Sequence, residues 1–418
     1  MKIKSIYFRL GAAVLSALLA LSFVSCVQQA SAADLMSGIT VGRSSGIAAD
    51  DEFISAAAGF SLDLAKIIIS GEENAMVSPV SVYLALAMTA NGAAGKTRAE
   101  MEKAFGMDLD KLNEYLCAYS AWLTPGVSQL KSANSIWFRD DSDRLYVEPD
   151  FLKTNARYYS AAAYKAPFDS STLKAINAWV SKNTDGMIDK LIDEIDGNSI
   201  MYLINAVAFE AKWQHKYETE DIEKGIFTAI SGDSREADMM KSTENLYISA
   251  KNATGFIKPY ADGKYGFAAL LPEVGTTPAA LLASLDGDSF VSMIKSAENS
   301  SVASIMPAFK SEYGTNLISA FSQLGIKDAL NSGTADFSKL GKSTVGNIFI
   351  GDAIQKTFIS VDSEGTKAGA ATEIEMRNGC AQIPEYEHSV ILDRPFIYAI
   401  VDMNTGMPIF IGVLTDIS

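Results

Sequence analysis

A long segment without helical or strand periodicity lies near the C-terminus, between two stretches that read as β-strands. Asn347–Asp362 carries β-branched and aromatic side chains in rough alternation, and Phe396–Val401 and Pro408–Leu414 read as the two strands of a hairpin. The segment between them has about 30 residues, and irregular links of that length are uncommon inside compact domains and usually functional. Any fold for this chain must therefore hold such a segment at both ends by β-structure.

The first third of this segment consists mainly of small side chains. Glu364–Thr372 reads EGTKAGAAT. Side chains this small bury little apolar surface, so few contacts would hold the stretch in place. Nothing bulky in it would prevent it from joining a packed sheet as an additional strand. Taken alone, the stretch is more typical of a flexible linker rich in Gly and Ala.

The motifs around this stretch resemble those of the serpins, the serine protease inhibitor family. A strand ending in Phe-Ile-x-Val precedes it, and Arg394-Pro395-Phe396 follows the variable part of the segment. Further matches follow one another in order over residues 52–417 and exclude the linker interpretation. They include Asn74-x-x-x-Ser78-Pro79-x-Ser81, Ser132–Phe138, Asn177-x-Trp179, Asn205–Trp213, Met306-Pro307-x-Phe309 and Asp336-Phe337-Ser338.

The resemblance implies an α+β serpin fold with a mixed central β-sheet, two further sheets, about nine helices and an exposed reactive-centre loop. In that family the small-residue stretch is the hinge of the loop, which here comprises Glu364, Gly365, Thr366, Lys367, Ala368, Gly369, Ala370, Ala371 and Thr372. Other matched residues correspond to the shutter, beneath the central sheet where strands part, and to the breach, where the loop inserts. They are Asn74, Ser78, Pro79, Ser81, Asn205, Trp213 and Gln355.

The chain departs from the family pattern at three of these positions. Gln355 stands where the family usually has a shutter histidine, and Gln can still donate and accept, so we expect a polar cluster with Ser78, Ser81 and Asn205. Lys367 replaces the usual acidic residue, and Gly369 interrupts the alanines. The hinge interpretation also predicts that the Thr366 side chain becomes buried when the loop inserts.

Two counts along the chain locate the bond that a protease would cleave, and they disagree. Counting about 15 residues from Gly365, the length of the family's inserted strand, places the bond between Gly379 and Cys380. Counting back from Pro395 places it near Pro384, because the loop is longer than is common in the family.

Side-chain chemistry offers a further answer. Arg377, before Asn378, would suit the acidic specificity pocket of a trypsin-like protease, and Met376 or Gly379 would suit an elastase- or subtilisin-like pocket. We expect the reactive bond within Met376–Cys380, with Gly379–Cys380 as the first candidate and Arg377–Asn378 as the second.

Residues 1–32 read as a targeting segment. Leu10–Val24 is an apolar run that is too short to favour a membrane-spanning helix of about 20 residues. Ala30-Ser31-Ala32 fits a signal-peptidase site, whereas Phe23-Val24-Ser25-Cys26 resembles a bacterial lipobox in which Cys26 would be lipidated. Both alternatives remain open, and both predict a protein exported by a bacterium, either extracellular or lipid-anchored at the cell surface.

A small and polar spacer is expected over residues 33–51, followed by one serpin domain over 52–418, since no linker or repeat divides that stretch. The net charge of −15 and the isoelectric point of about 4.7 argue against nucleic acid as a partner. No Lys/Arg cluster indicates a heparin site, and we expect a monomer.

The cysteines and histidines indicate neither a metal site nor a cofactor. Cys117 lies in an apolar helical pattern and Cys380 in the loop, so we favour two free thiols over a disulfide that would restrain a moving loop. His215 and His388 are far apart in sequence and have no metal-ligand spacing.

The predicted function is suicide inhibition of serine proteases, and the chain is not expected to be an enzyme. The resemblance implies that a protease cleaves the loop, that an acyl-enzyme forms, and that the freed hinge then inserts into the central sheet. A hydrolase is disfavoured because no Gly-x-Ser-x-Gly motif is present. A non-inhibitory serpin that serves as a binding module is the second alternative, which the small side chains of the hinge disfavour.

Overall fold

The computed structural model describes residues 32–123, 128–140, 144–159, 161–196, 199–366 and 386–417. This part of the chain contains nine α-helices: α1 (Asp51–Ile68), α2 (Pro79–Ala90), α3 (Gly95–Phe105), α4 (Leu109–Leu123), α5 (Pro149–Tyr158), α6 (Ser170–Asn183), α7 (Pro278–Ala283), α8 (Gly287–Lys295) and α9 (Ile318–Gln323). None of these helices is long and apolar enough to cross a membrane.

Eighteen strands are distributed along the described part of the chain. They are β1 (Ala33–Asp34), β2 (Ala75–Val77), β3 (Gln129–Arg139), β4 (Leu145–Val147), β5 (Ala162–Ala166), β6 (Met201–Lys212), β7 (Ile222–Thr228), β8 (Ser234–Ala250), β9 (Ala253–Pro259), β10 (Tyr265–Pro272), β11 (Glu298–Pro307), β12 (Phe309–Asn316), β13 (Gly341–Ser343), β14 (Asp352–Val361), β15 (Gly365–Thr366), β16 (His388–Ile391), β17 (Phe396–Asp402) and β18 (Pro408–Leu414).

The central sheet has the order β1-β5-β3-β6-β15-β14-β12. It is mixed, since β6 and β14 pair in parallel while β3 pairs with β6, and β12 with β14, in antiparallel fashion. A nine-stranded sheet runs β16-β11-β8-β9-β10-β17-β18-β2 with β7 beside β8, and β13 and β4 form a two-stranded sheet. The expected α+β class, with a mixed central sheet, two further sheets and nine helices, is confirmed for the described residues.

Helix α2 lies at the centre of the molecule and positions the site. All its residues are buried, and it packs against β3 and β6 of the central sheet and against β18 of the second sheet. Pro79 occupies the first turn, where its missing N–H costs no hydrogen bond. A second apolar cluster covers the opposite face of the central sheet, where Ile176 and Val180 of α6 pack with Ile204 of β6.

The segment expected as a spacer, residues 33–51, packs onto the domain and ends in the first residue of α1. Ala33 and Asp34 of β1 extend the central sheet by pairing with β5. The Cys117 thiol, which is buried as expected, donates to the carbonyl of Ser44 at 3.3 Å. Asp50 caps the first turn of α1 by accepting from the Phe53 N–H. These contacts make the segment part of the fold, and Leu35, Met36 and Ile39 pack against the core.

Candidate functional site

The central sheet is parted at one end, between β6 and β14. The two strands pair directly from Asp352–Tyr202 to Phe358–Ala208. Beyond that point β15 lies between them and pairs antiparallel with both, with Gly365 opposite Lys212 and Thr366 opposite both Ala211 and Val361. We call this place the insertion point, because a two-residue strand already occupies it.

The β15 and β6 backbones approach each other so closely at the insertion point that position 365 requires glycine. A Cβ atom on Gly365 would lie 2.0 Å from the Ala211 carbonyl oxygen and 2.7 Å from the Lys212 Cα. Real side chains do not tolerate such separations, so any other residue would push β15 away from β6.

The Thr366 side chain is fully buried at the insertion point. Its hydroxyl shares a 2.6 Å hydrogen bond with the Tyr260 hydroxyl. Burial raises the pKa of Tyr260 well above its usual value, so the phenol stays protonated and able to take part in this bond. The Thr366 side chain, expected to become buried when the loop inserts, is thus already buried in this structure.

Trp213 and Tyr217 hold the backbone immediately before β15, and we call these two residues with their hydrogen bonds the hinge clamp. The Trp213 indole N–H donates to the Asp362 carbonyl at 2.8 Å, and its backbone N–H donates to the Glu364 carbonyl at 2.9 Å. The Tyr217 backbone N–H donates to the Ser363 carbonyl at 3.0 Å. Three consecutive carbonyls are thereby fixed.

A polar cluster lies between α2 and the central sheet, below the insertion point. The Gln355 side-chain oxygen accepts from the Ser78 N–H at 3.0 Å, and its amide N–H group donates to the Ser78 carbonyl at 3.1 Å. The same amide also donates to the side-chain oxygen of Asn205. Gln355 and Asn205 are direct partners in the β6–β14 ladder, so this contact closes the sheet beneath the opening.

The cluster continues from Asn205 towards β3. The Asn205 amide donates to the Ser81 hydroxyl at 2.5 Å and to the Asn134 side-chain oxygen, and the Ser81 and Ser132 hydroxyls lie 2.7 Å apart. Sequence reasoning placed Ser132 and Asn134 on a strand but did not include them in the cluster. Their alternate spacing on one strand was the available signal, since it puts both on the same face.

Two residues expected at the shutter or breach make contacts outside this cluster. Asn74 lies apart from Gln355, and its side chain binds the C-terminal backbone through Thr415 and Asp416. Its assignment to the shutter or breach stays a prediction. Ser78 is in the cluster through its backbone, but its hydroxyl does not cap α2 and donates instead to the Ile409 carbonyl at 2.9 Å.

The sequence model of the Serpin (serine protease inhibitor) family matches residues 55–417. The chain belongs to the serpin family. It is 29% identical to the mouse (Mus musculus) leukocyte elastase inhibitor A over 81% of this chain and 92% of that protein. The native-state structure of tengpin, a thermophilic serpin, is 45% identical and has a TM-score of 0.88, covering 92% of this chain and 100% of that one.

The latent-state structure of tengpin also matches, with 41% identity and a lower TM-score of 0.79 over 90% of this chain and 100% of that one. These matches confirm the serpin fold. Trp213, expected at the breach or shutter, lies in the hinge clamp, and Ser78, Ser81, Asn205 and Gln355 lie in the polar cluster; their breach and shutter roles stay predictions.

Several predicted site residues lie outside the described residues. They are Cys26, the hinge residues Lys367–Thr372 and the reactive-bond candidates Met376, Arg377, Asn378, Gly379 and Cys380. His388 stacks on Tyr247 with the ring centroids 3.7 Å apart. Within the described ranges, no three His, Cys, Asp or Glu side chains gather as a metal site.

Proposed function

We propose that this serpin inhibits serine proteases by loop cleavage, acyl-enzyme formation and insertion of the freed hinge into the central sheet. The observation that carries the proposal is β15, which already lies between β6 and β14 and pairs antiparallel with both. Insertion would continue a strand that exists, by separating the direct β6–β14 pairs one after another.

Extending the β15 register supports this proposal by showing what the inserted strand would meet. Thr366 is opposite Ala211 and Val361, so Thr372, six residues on, would lie between Asn205 and Gln355. Met376 would reach Met201, the first residue of β6. The cleaved bond must then lie at or beyond Met376, which favours the window Met376–Cys380.

The alternation of side chains along the hinge fits this register. Residues on the buried side of Thr366 would be small or apolar apart from one Thr, namely Ala368, Ala370, Thr372, Ile374 and Met376. Those on the α6 side would be Lys367, Gly369, Ala371, Glu373 and Glu375. An amphipathic period of two is what a strand with one face in the core requires, and it favours an inhibitory over a non-inhibitory serpin.

The register also gives a reason for the lysine that departs from the family pattern. Lys367 would lie opposite Glu210 of β6, on the same face of the sheet. Opposite charges at directly facing strand positions are favourable. The exchange of an acidic residue for Lys367 is therefore compatible with insertion.

Insertion would supply the free energy that displaces the protease from its productive geometry. It replaces one parallel ladder by two antiparallel ladders, which are slightly more stable per residue. A strand of about 15 residues at about 3.3 Å each would carry the tethered protease roughly 50 Å. Misplacement of catalytic groups by even 1 Å can cost about a hundredfold in rate, so deacylation would stall.

The target is proposed to be a serine protease of elastase-, subtilisin- or trypsin-like specificity. The similarity to a leukocyte elastase inhibitor supports the first of these, as do Met376 and Gly379. The reactive bond is proposed as Gly379–Cys380, with Arg377–Asn378 second. The protein would act as an inhibitor and not as an enzyme.

The protein's location and other partners are proposals that rest on the sequence. The N-terminal segment supports export by a bacterium, with the mature protein either free or anchored through a lipidated Cys26. The net charge of −15 supports the absence of nucleic-acid and heparin partners. We propose that the protein acts as a monomer.

Incubation with a panel of serine proteases tests the proposed function. An inhibitory serpin gives a covalent complex that survives SDS, and the same protease with its active-site serine blocked gives none. Loop cleavage without any complex, across elastase-, subtilisin- and trypsin-like enzymes, would instead identify a non-inhibitory serpin.

A further inference from the structure

Lys258 of β9 and Glu244 of β8 form an ion pair that is buried on both sides. The ammonium and carboxylate lie 2.8 Å apart, and the side chains are only 2% and 7% exposed. Every other ion pair among the described residues includes a clearly more exposed side chain. Because desolvation of two charges offsets much of their attraction, a buried pair is weak support for stability alone. A contribution to stability alone therefore does not explain why this ion pair is buried.

The ammonium group of Lys258 packs against both residues of the hinge clamp. It lies 4.3 Å from the ring centroid of Tyr217 and 5.5 Å from that of Trp213. Cations at these separations are attracted to aromatic rings, and the attraction is stronger when water is excluded. The two rings are buried as well, so their contact with the Lys258 side chain fixes their positions.

The carboxylate of Glu244 connects this site to the other end of the reactive-centre loop. It accepts from the Ser242 hydroxyl at 2.6 Å, and the Ser304 hydroxyl of β11 donates to the Ser242 carbonyl at 3.1 Å. Strand β11 pairs with β16, which begins at His388, just after the loop. Hydrogen bonds through Ser242 thus connect the ion pair to β11, the strand that pairs with the segment at the loop's C-terminal end.

We propose that Lys258 and Glu244 are positioning residues for loop insertion, acting through Trp213 and Tyr217 on the backbone of residues 362–364. The inference rests on the proposed function, because insertion is the step that they would serve. Residues 362–364 form the pivot from which β15 extends, and a pivot held by three hydrogen bonds lets the strand grow in one register. A loosened pivot would slow insertion and leave more time for deacylation.

Lys258→Met tests the proposal because it leaves a buried carboxylate without its cation. We expect the number of serpin molecules cleaved per protease trapped to rise about five- to tenfold, the factor that corresponds to one lost hydrogen bond. The rate of loop cleavage should stay unchanged, since neither residue belongs to the loop. An unchanged stoichiometry with a fully folded variant overturns the proposal.

A stability control and a double variant separate positioning from general destabilisation. Leu116→Ala opens a cavity in the buried face of α4, away from the clamp, and should lower Tm without raising the stoichiometry. Glu244→Gln should act in the same direction as Lys258→Met, and the double variant should be no worse than the worse single. A double variant whose effect is the product of the two singles overturns the assignment as a pair.

Hydrogen exchange tests the proposal without any protease. In Lys258→Met, the amides of Trp213 and Tyr217 should exchange faster than in the wild type, whereas Leu116→Ala should leave their relative protection unchanged. Faster exchange in a protein that traps no protease would support the positioning role while the proposed function fails. Unchanged exchange at both amides overturns the positioning role even if the wild type is an inhibitor.

Discussion

Replacing Gln355 by leucine should weaken the intact protein more than the loop-cleaved protein. In the intact chain the Gln355 side chain serves three buried groups: the Ser78 N–H, the Ser78 carbonyl and the Asn205 side-chain oxygen. Each buried group left without a partner costs about 1–3 kcal/mol, so we expect a loss of about 3–5 kcal/mol in the free energy of unfolding. For a domain of this size that corresponds to about 4–6 °C in Tm.

The cleaved form should lose less, because insertion separates Gln355 from Asn205. The two residues are direct ladder partners in the intact protein. An intervening strand would double the strand separation from about 4.8 Å to about 9.6 Å, beyond the reach of their hydrogen bond. Thr372 would then supply the donor for Asn205, leaving only the two Ser78 groups unpaired. We expect a decrease of about 2–4 °C in Tm.

Thermal unfolding of both forms, followed by circular dichroism, measures the two decreases. Gln323→Leu is the matched control, since Gln323 makes one long hydrogen bond at the exposed surface of α9, and its Tm should stay within about 1 °C of the wild type. Equal decreases for intact and cleaved Gln355→Leu would refute the separation of β6 from β14. An unchanged Tm in the intact form would show that the polar cluster does not stabilise it.

Cleavage of the loop in the wild type should raise Tm, because it adds a fully paired strand to the central sheet, and an unchanged Tm would count against insertion. Gly365→Ala should cost about 1–3 kcal/mol of stability and raise the stoichiometry of inhibition, since its methyl group would collide with the β6 backbone. Gly59→Ala, inside α1 where the added methyl group meets open space, is its control: it should raise stability by about 0.5–1 kcal/mol and leave the stoichiometry unchanged. Mass spectrometry of the fragment released from the protease complex should show an N-terminus at Cys380 or, second, at Asn378. A fragment that begins at or beyond Ile383 would contradict the count from the hinge.

The sequence by itself determined the family and the fold class, and it predicted the location of the hinge. These follow from local features: small side chains over Glu364–Thr372, strand patterns on both sides of the loop, and Pro79 at the start of a buried helix. The sequence also indicated that Gln355 could serve in place of histidine, because hydrogen-bonding capacity is a property of the side chain alone.

Only the tertiary structure decided which of these residues meet. Asn74 and Ser78 are four positions apart, yet one side chain binds the C-terminus and the other residue binds Gln355. Nothing in the local sequence showed that Thr366 is already buried, or that Lys258 pairs with Glu244 behind the hinge clamp. The physical reason is that an alternating pattern assigns a side chain to a face, whereas its neighbours across the sheet depend on the register and packing of distant strands.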